Sequence, residues 1–157
     1  YQTGEKMPAE LIEKIVNAQN YLAAYMNVRQ LQFGITDMAW HTLTEPMTGD
    51  VVEFEVAAAA STQILPVVEG VAMAPAFSHI FAGGYAAGYY SYKWAEVLDA
   101  DAFSLFQEKG IFNREVSDSF RKNVLSKGGT EHPMDLYVKF RGHKPETKAL
   151  IDRMNLK

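Results

Sequence analysis

The spacing of apolar residues along this chain is mainly that of α-helices. Leu11, Ile15 and Ala18 recur at intervals of three or four residues, which places their side chains on one face of a helix. Pro8 suits the first turn, so a first helix is predicted over residues 8–18. Comparable spacing, bounded by glycine and proline, predicts further helices over residues 20–43, 85–98, 101–109, 114–126, 133–140 and 145–154.

The segment after Asp50 fits two patterns. Residues 51–56 alternate between apolar and acidic side chains as a strand does, whereas the alanines at 57–60 favour a helix. We predict a helix over residues 52–63 and keep a strand as the alternative. Prolines and a glycine make residues 64–75 an irregular connection. The predicted fold class is therefore all-α.

Polar residues mark several of the expected helix ends. Asn113 is suited to cap the helix over residues 114–126, and Asp99 or Asp101 to cap the short helix before Gly110. Trp40 and Trp94 are predicted to lie in the core.

Composition narrows the classes of function. The chain has 157 residues, of which 48% are hydrophobic and 22% charged, as in an ordinary globular protein of one domain. Its net charge of −4 and the lack of a long basic run argue against a nucleic-acid-binding surface. Without cysteine, the chain cannot form a disulfide, a thiolate nucleophile or a Cys-ligated zinc site. No apolar run is long enough to predict a membrane span.

Several common catalytic motifs are absent from the sequence. The four histidines do not form His-Glu-x-x-His, and there is neither a phosphate-binding loop nor a Gly-x-Ser-x-Gly elbow. His41 and Glu45 lie four residues apart, but two ligands do not make a metal site, and a helix-surface pair is the simpler interpretation. Arg141 and Lys144 could bind a carboxylate, although a solvated turn is the simpler interpretation.

The stretch over residues 77–94 has the most unusual composition. It combines His79 with three glycines and four tyrosines. If residues 85–94 are helical, Tyr85, Tyr89 and Tyr92 share one face, and the loop before them could fold His79 over that face. Such a row of phenols could donate hydrogen bonds to a peptide or another polar ligand. A buried aromatic stripe with a hydrogen-bonded histidine remains the alternative.

This stretch also carries a resemblance to a known family. Its pattern, His-x-x-x-Gly-Gly-Tyr-x-x-x-Tyr-Tyr-x-Tyr from His79, resembles the corresponding region of the M3 zinc metallopeptidases. The six-residue spacing from His79 to Tyr85 is more similar to the dipeptidyl carboxypeptidase branch. The likeness covers essentially the whole chain, including residues 38–41, 125–129 and 141–145.

The resemblance implies a role for this chain within a larger enzyme. It would be the C-terminal part of a two-lobed, mostly helical peptidase that hydrolyses short peptides. Family members bind zinc through His-Glu-x-x-His and a later glutamate, all N-terminal to this region and absent here. We therefore expect zinc in the parent protein, no metal ligand in this chain and no activity from the chain alone. Because the sequence starts at Tyr1 without an initiator Met, we expect the natural chain to begin upstream.

The resemblance also suggests roles for individual residues. Tyr92 corresponds to the tyrosine that donates to the scissile carbonyl as it becomes an oxyanion, and His79 to a histidine near the same bond. Tyr85 and Tyr89 correspond to tyrosines that contact the backbone or C-terminal end of the substrate. The adjacent pair Gly83 and Gly84 corresponds to a loop that closes over bound peptide.

Partners and compartment follow as expectations. The partners would be short peptides and the missing N-terminal part of the polypeptide, and a chain without that part could self-associate through exposed apolar surface. The expected compartment is the cytoplasm, with the periplasm left open because a cysteine-free composition does not fix it. The alternative function is a non-catalytic helical module that binds a peptide or a protein.

Overall fold

A computed structural model describes residues 2–156, and these residues form helices joined by turns and loops, without strands. The all-α prediction is confirmed. The α-helices are α1 (Ala9–Ala18), α2 (Ala23–His41), α3 (Val51–Ala59), α4 (Ser78–Phe81), α5 (Ser91–Lys109), α6 (Arg114–Phe120), α7 (Pro133–Arg141) and α8 (Lys148–Arg153). No helix within the described residues is both long and apolar enough to cross a membrane.

The chain divides into two compact units. The first contains the described residues up to Ser91, and the second those from Tyr92 onwards. The first unit buries Ile80, Thr36 and Asp37 most completely, and the second has a small core of Val97, Ala100 and Leu150. The prediction of a single domain stays a prediction.

Helix α3 settles the choice between helix and strand after Asp50. The Asp50 carboxylate accepts hydrogen bonds from the backbone N–H groups of Val52 (2.7 Å) and Glu53 (3.0 Å). These two groups have no partner inside a helix, so the side chain satisfies them and fixes the start of α3. The predicted helix is confirmed, and its last residues form a 3₁₀ turn at Ala60–Thr62.

Helix α5 differs from its prediction at both ends. It begins at Ser91 rather than residue 85 and continues without a break to Lys109, so the predicted junction at Asp99 and Asp101 was wrong. The reason is that Asp101 points into the second unit rather than capping a helix. Its carboxylate accepts a 2.5 Å hydrogen bond from the Tyr137 hydroxyl on α7.

Arg141 also belongs to this packing and does not lie in a solvated turn. It is the last residue of α7, and its guanidinium donates to the backbone oxygen of Asp101 (3.0 Å) and the hydroxyl of Ser104 (3.0 Å). It therefore joins α7 to α5.

The two tryptophans have different surroundings. Trp40 is partly buried and packs against the ring of Phe54, with centroids 4.3 Å apart. Trp94 is 43% exposed, so its predicted place in the core was wrong. It lines an apolar pocket of about 470 Å³ in the second unit, together with Phe103, Phe106, Phe120 and Met134. None of the predicted site residues lines this pocket.

The remaining helix boundaries follow local chemistry. The Asn113 side chain caps α6 as predicted, accepting from the backbone N–H groups of Glu115 and Val116. The helical course then widens into a π-helical turn over Arg121–Leu125. Gly142, with a φ of 88°, ends α7 in the left-handed conformation that glycine adopts without strain.

Candidate functional site

The tyrosine stretch forms a turn rather than a helix before Ser91. Residues 86–90 are turns, and Ala87 has a φ of 53°, which is incompatible with a right-handed helix. Tyr85 and Tyr89 therefore do not lie on one helical face with Tyr92, and that expectation was wrong. Another correction is that residues 78–81, expected to be a loop, form the short helix α4, which carries His79.

The turn nevertheless brings three of the predicted residues together. The ring centroid of His79 lies 5.9 Å from that of Tyr85 and 6.2 Å from that of Tyr89. The backbone N–H of Tyr85 donates to the backbone oxygen of His79 at 3.1 Å. Phe77 and Phe33 complete the cluster, with their ring centroids 5.2 Å and 5.7 Å from that of Tyr89. The site in the first unit is this aromatic cluster, which consists of Phe33, Phe77, His79, Tyr85 and Tyr89.

The Tyr89 phenol is held in its neutral form. Its hydroxyl donates to Oε1 of Gln30 at 3.1 Å. Burial raises the pKa of the phenol above its ordinary value, and the charge of Arg29 and the Gln30 hydrogen bond offset that rise only in part. At neutral pH the group is therefore a hydrogen-bond donor rather than a phenolate.

Each of the two adjacent glycines is required for a different reason. A Cβ added to Gly83 would stand 2.9 Å from Cα of His79 and 3.0 Å from its carbonyl oxygen, too close for any other residue without movement of the backbone. Gly84 has open space around it, but its φ of 81° is strained for residues with a side chain. The pair lets the chain reverse tightly after α4.

Asp37 is the residue that sequence reasoning missed. It is fully buried on α2, and its two carboxylate oxygens accept hydrogen bonds from the backbone N–H groups of Ala87 and Tyr89, both at 2.9 Å. Nδ1 of His41 lies 2.8 Å from the same carboxylate. The available signal was a lone aspartate inside the predicted, largely apolar helix over residues 20–43, because a buried carboxylate needs partners.

His41 accordingly has a different neighbour from the one considered in the sequence. Its ring contacts Asp37 one helical turn earlier, through both the carboxylate and the backbone oxygen, the latter at 2.9 Å. Across the described part of the chain, no group of three or more histidine, aspartate or glutamate side chains is arranged to hold a metal ion.

Tyr92 belongs to the second unit. It lies in the first turn of α5, where its side chain is 38% exposed. The predicted site residues are therefore divided between the aromatic cluster and the start of this helix.

The family was tested by comparison with known proteins. The sequence model described as "Peptidase family M3" matches residues 1–156. The chain belongs to peptidase family M3. This agrees with the resemblance carried by residues 77–94, and it extends the family assignment to nearly the whole sequence.

Individual M3 relatives are similar over the full length of the chain. It is 48% identical over 158 aligned residues to "Oligopeptidase A" of Escherichia coli (strain K12), covering 100% of this chain and 23% of that protein. It is 40% identical to "Probable cytosolic oligopeptidase A" of Arabidopsis thaliana, covering 96% of the chain and 22% of that protein. Identity to "Dipeptidyl carboxypeptidase" of Escherichia coli (strain K12) is 37%, over 99% of the chain and 23% of that protein.

These identities bear on the branch within the M3 family. The spacing from His79 to Tyr85 suggested the dipeptidyl carboxypeptidase branch, but overall identity is higher with oligopeptidase A. The chain spans about a quarter of the length of these relatives.

Proposed function

We propose that this chain provides the substrate-binding side of a zinc-dependent M3 oligopeptidase that hydrolyses bonds within short peptides. The observation that carries the proposal is the aromatic cluster of the first unit, in which the ring of His79 lies against the rings of both Tyr85 and Tyr89. The family match over residues 1–156 supports the reaction class.

We propose a task for each residue, as the resemblance to the M3 family implies. Tyr85 and Tyr89 hold the substrate backbone or its C-terminal end; the Tyr89 hydroxyl donates its proton to Gln30 and can accept a hydrogen bond from a peptide N–H. His79 lies beside the scissile bond. Tyr92 donates to the carbonyl oxygen of that bond as negative charge develops on it, which stabilises the transition state more than the ground state.

The zinc ion of such an enzyme would be bound by another part of the polypeptide. The described residues do not fit a zinc site, because their histidine and acidic side chains form no group of three. His79 is surrounded by aromatic rings, and His41 is paired with the buried Asp37. The roles proposed for the residues of this chain therefore involve no metal bound to the chain itself.

Partners and compartment form part of the same proposal. The partners are short peptides and the rest of the polypeptide. Helix α1 exposes Leu11, Ile12, Ile15 and Val16 and buries none of its residues, so the chain alone would self-associate through this apolar surface. We propose the cytoplasm as the compartment, as the name of the Arabidopsis relative states for that protein.

The proposal is tested by comparing the full-length polypeptide with this chain alone. The full-length protein loaded with zinc should hydrolyse an internally quenched short peptide, and this chain alone should not. Elemental analysis should find stoichiometric zinc only in the full-length protein. Stoichiometric zinc in this chain would refute the placement of the ligands. A full-length protein that binds the peptide without cleaving it would favour the alternative, a non-catalytic binding module.

A further inference from the structure

Asp37 is buried at the centre of the first unit, yet it contacts the segment that carries the candidate site. Its carboxylate accepts from Ala87 N–H through one oxygen and from Tyr89 N–H through the other, each at 2.9 Å. Hydrogen bonds to an ionised acceptor are among the stronger ones in proteins. Two of them therefore fix the backbone on both sides of residue 88.

The backbone that Asp37 holds is one that the local sequence does not favour. Ala87 has a φ of 53°, in the left-handed region that is strained for a residue with a side chain. A strained conformation persists only where surrounding contacts hold it. The hydrogen bond that the Ala87 N–H donates to the Asp37 carboxylate is such a contact.

Helix α2 also approaches this turn closely. A Cβ on Gly34, three residues before Asp37, would stand 3.6 Å from Cα of Tyr90. Helix α2 therefore lies against the turn, and the Asp37 side chain reaches two of its backbone groups. His41 contacts the same carboxylate from the following helical turn, at 2.8 Å.

We propose that Asp37 is a positioning residue for substrate binding, which sets the turn over residues 85–90 so that Tyr85 and Tyr89 face the peptide. This inference rests on the proposed function. Asp37 touches no substrate. It acts through the Tyr89 backbone, whose phenol is placed against the aromatic cluster and Gln30. Loss of its contacts should weaken peptide binding and leave the chemical step intact.

The test measures kcat and KM of the full-length polypeptide with a short peptide. Asp37→Asn keeps the size of the side chain but presents an NH2 group to one of the two backbone donors. KM should rise about 10- to 100-fold, the effect of losing a hydrogen bond to a charged group, with kcat changed less than about threefold. Amide hydrogen exchange should accelerate at Ala87 and Tyr89.

Glu55→Gln is the matched control. Glu55 is also a buried carboxylate of the first unit that accepts from a backbone N–H, that of Met73 at 3.0 Å, but it holds a segment without predicted site residues. If Asp37 only stabilised the fold, Asp37→Asn and Glu55→Gln would change KM by the same factor for the same loss of stability. A positioning role predicts that only Asp37→Asn raises KM.

Tyr89→Phe separates this inference from the proposed function. Tyr89→Phe should raise KM by itself, and the double variant should not show the product of the two effects, because both act at Tyr89. If Tyr89→Phe leaves KM unchanged, the assignment of Tyr89 and the inference both fall. If it raises KM while Asp37→Asn behaves like Glu55→Gln, the inference alone is overturned.

A second variant covers the outcome in which Asp37→Asn does not fold. Incorporating the α-hydroxy analogue of tyrosine at position 89 replaces that N–H with oxygen and leaves Asp37 with its other partners. A rise in KM of several-fold supports the positioning role, and an unchanged KM contradicts it.

Discussion

In the candidate site, close contacts with backbone atoms explain the identity of individual residues. Gly83 has no side chain because the His79 backbone occupies the space, and Asp37 presents one carboxylate oxygen to each of two backbone N–H groups. The sequence indicated the types of residue in the site, namely His79, Tyr85 and Tyr89. For Asp37 it offered only a lone aspartate in a largely apolar helix, and it could not show which groups that carboxylate binds, because hydrogen bonds across 50 and 52 residues leave no local pattern.

Replacing Gly83 by alanine should destabilise the first unit. The added methyl group would meet Cα and the carbonyl oxygen of His79 at 2.9 Å and 3.0 Å, and both are backbone atoms that cannot rotate away. We expect a loss of about 1–3 kcal/mol in the free energy of unfolding, measured by urea denaturation. Gly129→Ala is the control, because nothing lies within 4 Å of that position. Equal stability of the two variants would contradict the close contact.

At the scale of elements, capping and burial explain where the sequence predicted helices well and where it did not. The Asp50 and Asn113 caps are local, so α3 and α6 begin where they were expected. Helix α5 was predicted as two helices because Asp99 and Asp101 resemble caps. Only the tertiary partner Tyr137 shows that Asp101 belongs inside a continuous helix.

The contact between α5 and α7 predicts a dependence of stability on pH. Burial, and then the hydrogen bond to the Asp101 carboxylate, raise the pKa of the Tyr137 phenol far above its ordinary value. A pKa raised on folding stabilises the folded state fully below the unfolded pKa of about 10, and this contribution is lost as pH rises above it. The free energy of unfolding should therefore decrease from about pH 10 upwards.

Tyr137→Phe should remove this part of the alkaline decrease, as measured by urea denaturation followed by circular dichroism. Tyr21→Phe is the control, since Tyr21 is 79% exposed and its loss should leave the wild-type dependence on pH. Parallel curves for Tyr137→Phe and the wild type across this range would show that the buried phenol is not the titrating group.

At the scale of the whole molecule, the family was readable from the sequence and the arrangement of the site was not. The pattern from His79 to Tyr92 was specific enough to indicate family M3, which the match over residues 1–156 confirms. The same pattern suggested one helical face for three tyrosines. The left-handed Ala87 breaks that face, and alanine gives no sequence signal for such a conformation.

We propose that residues 77–94 bind a peptide and stabilise the transition state of its hydrolysis. The test is to measure kcat of the full-length polypeptide carrying Tyr92→Phe. Tyr90→Phe is the control, because Tyr90 is a neighbouring phenol that is 59% exposed and has no predicted role. We predict that Tyr92→Phe lowers kcat about 100- to 1000-fold with little change in KM, the effect of removing one oxyanion donor. Tyr90→Phe should leave kcat near the wild-type value. A decrease of less than about threefold for Tyr92→Phe would show that Tyr92 does not stabilise the transition state.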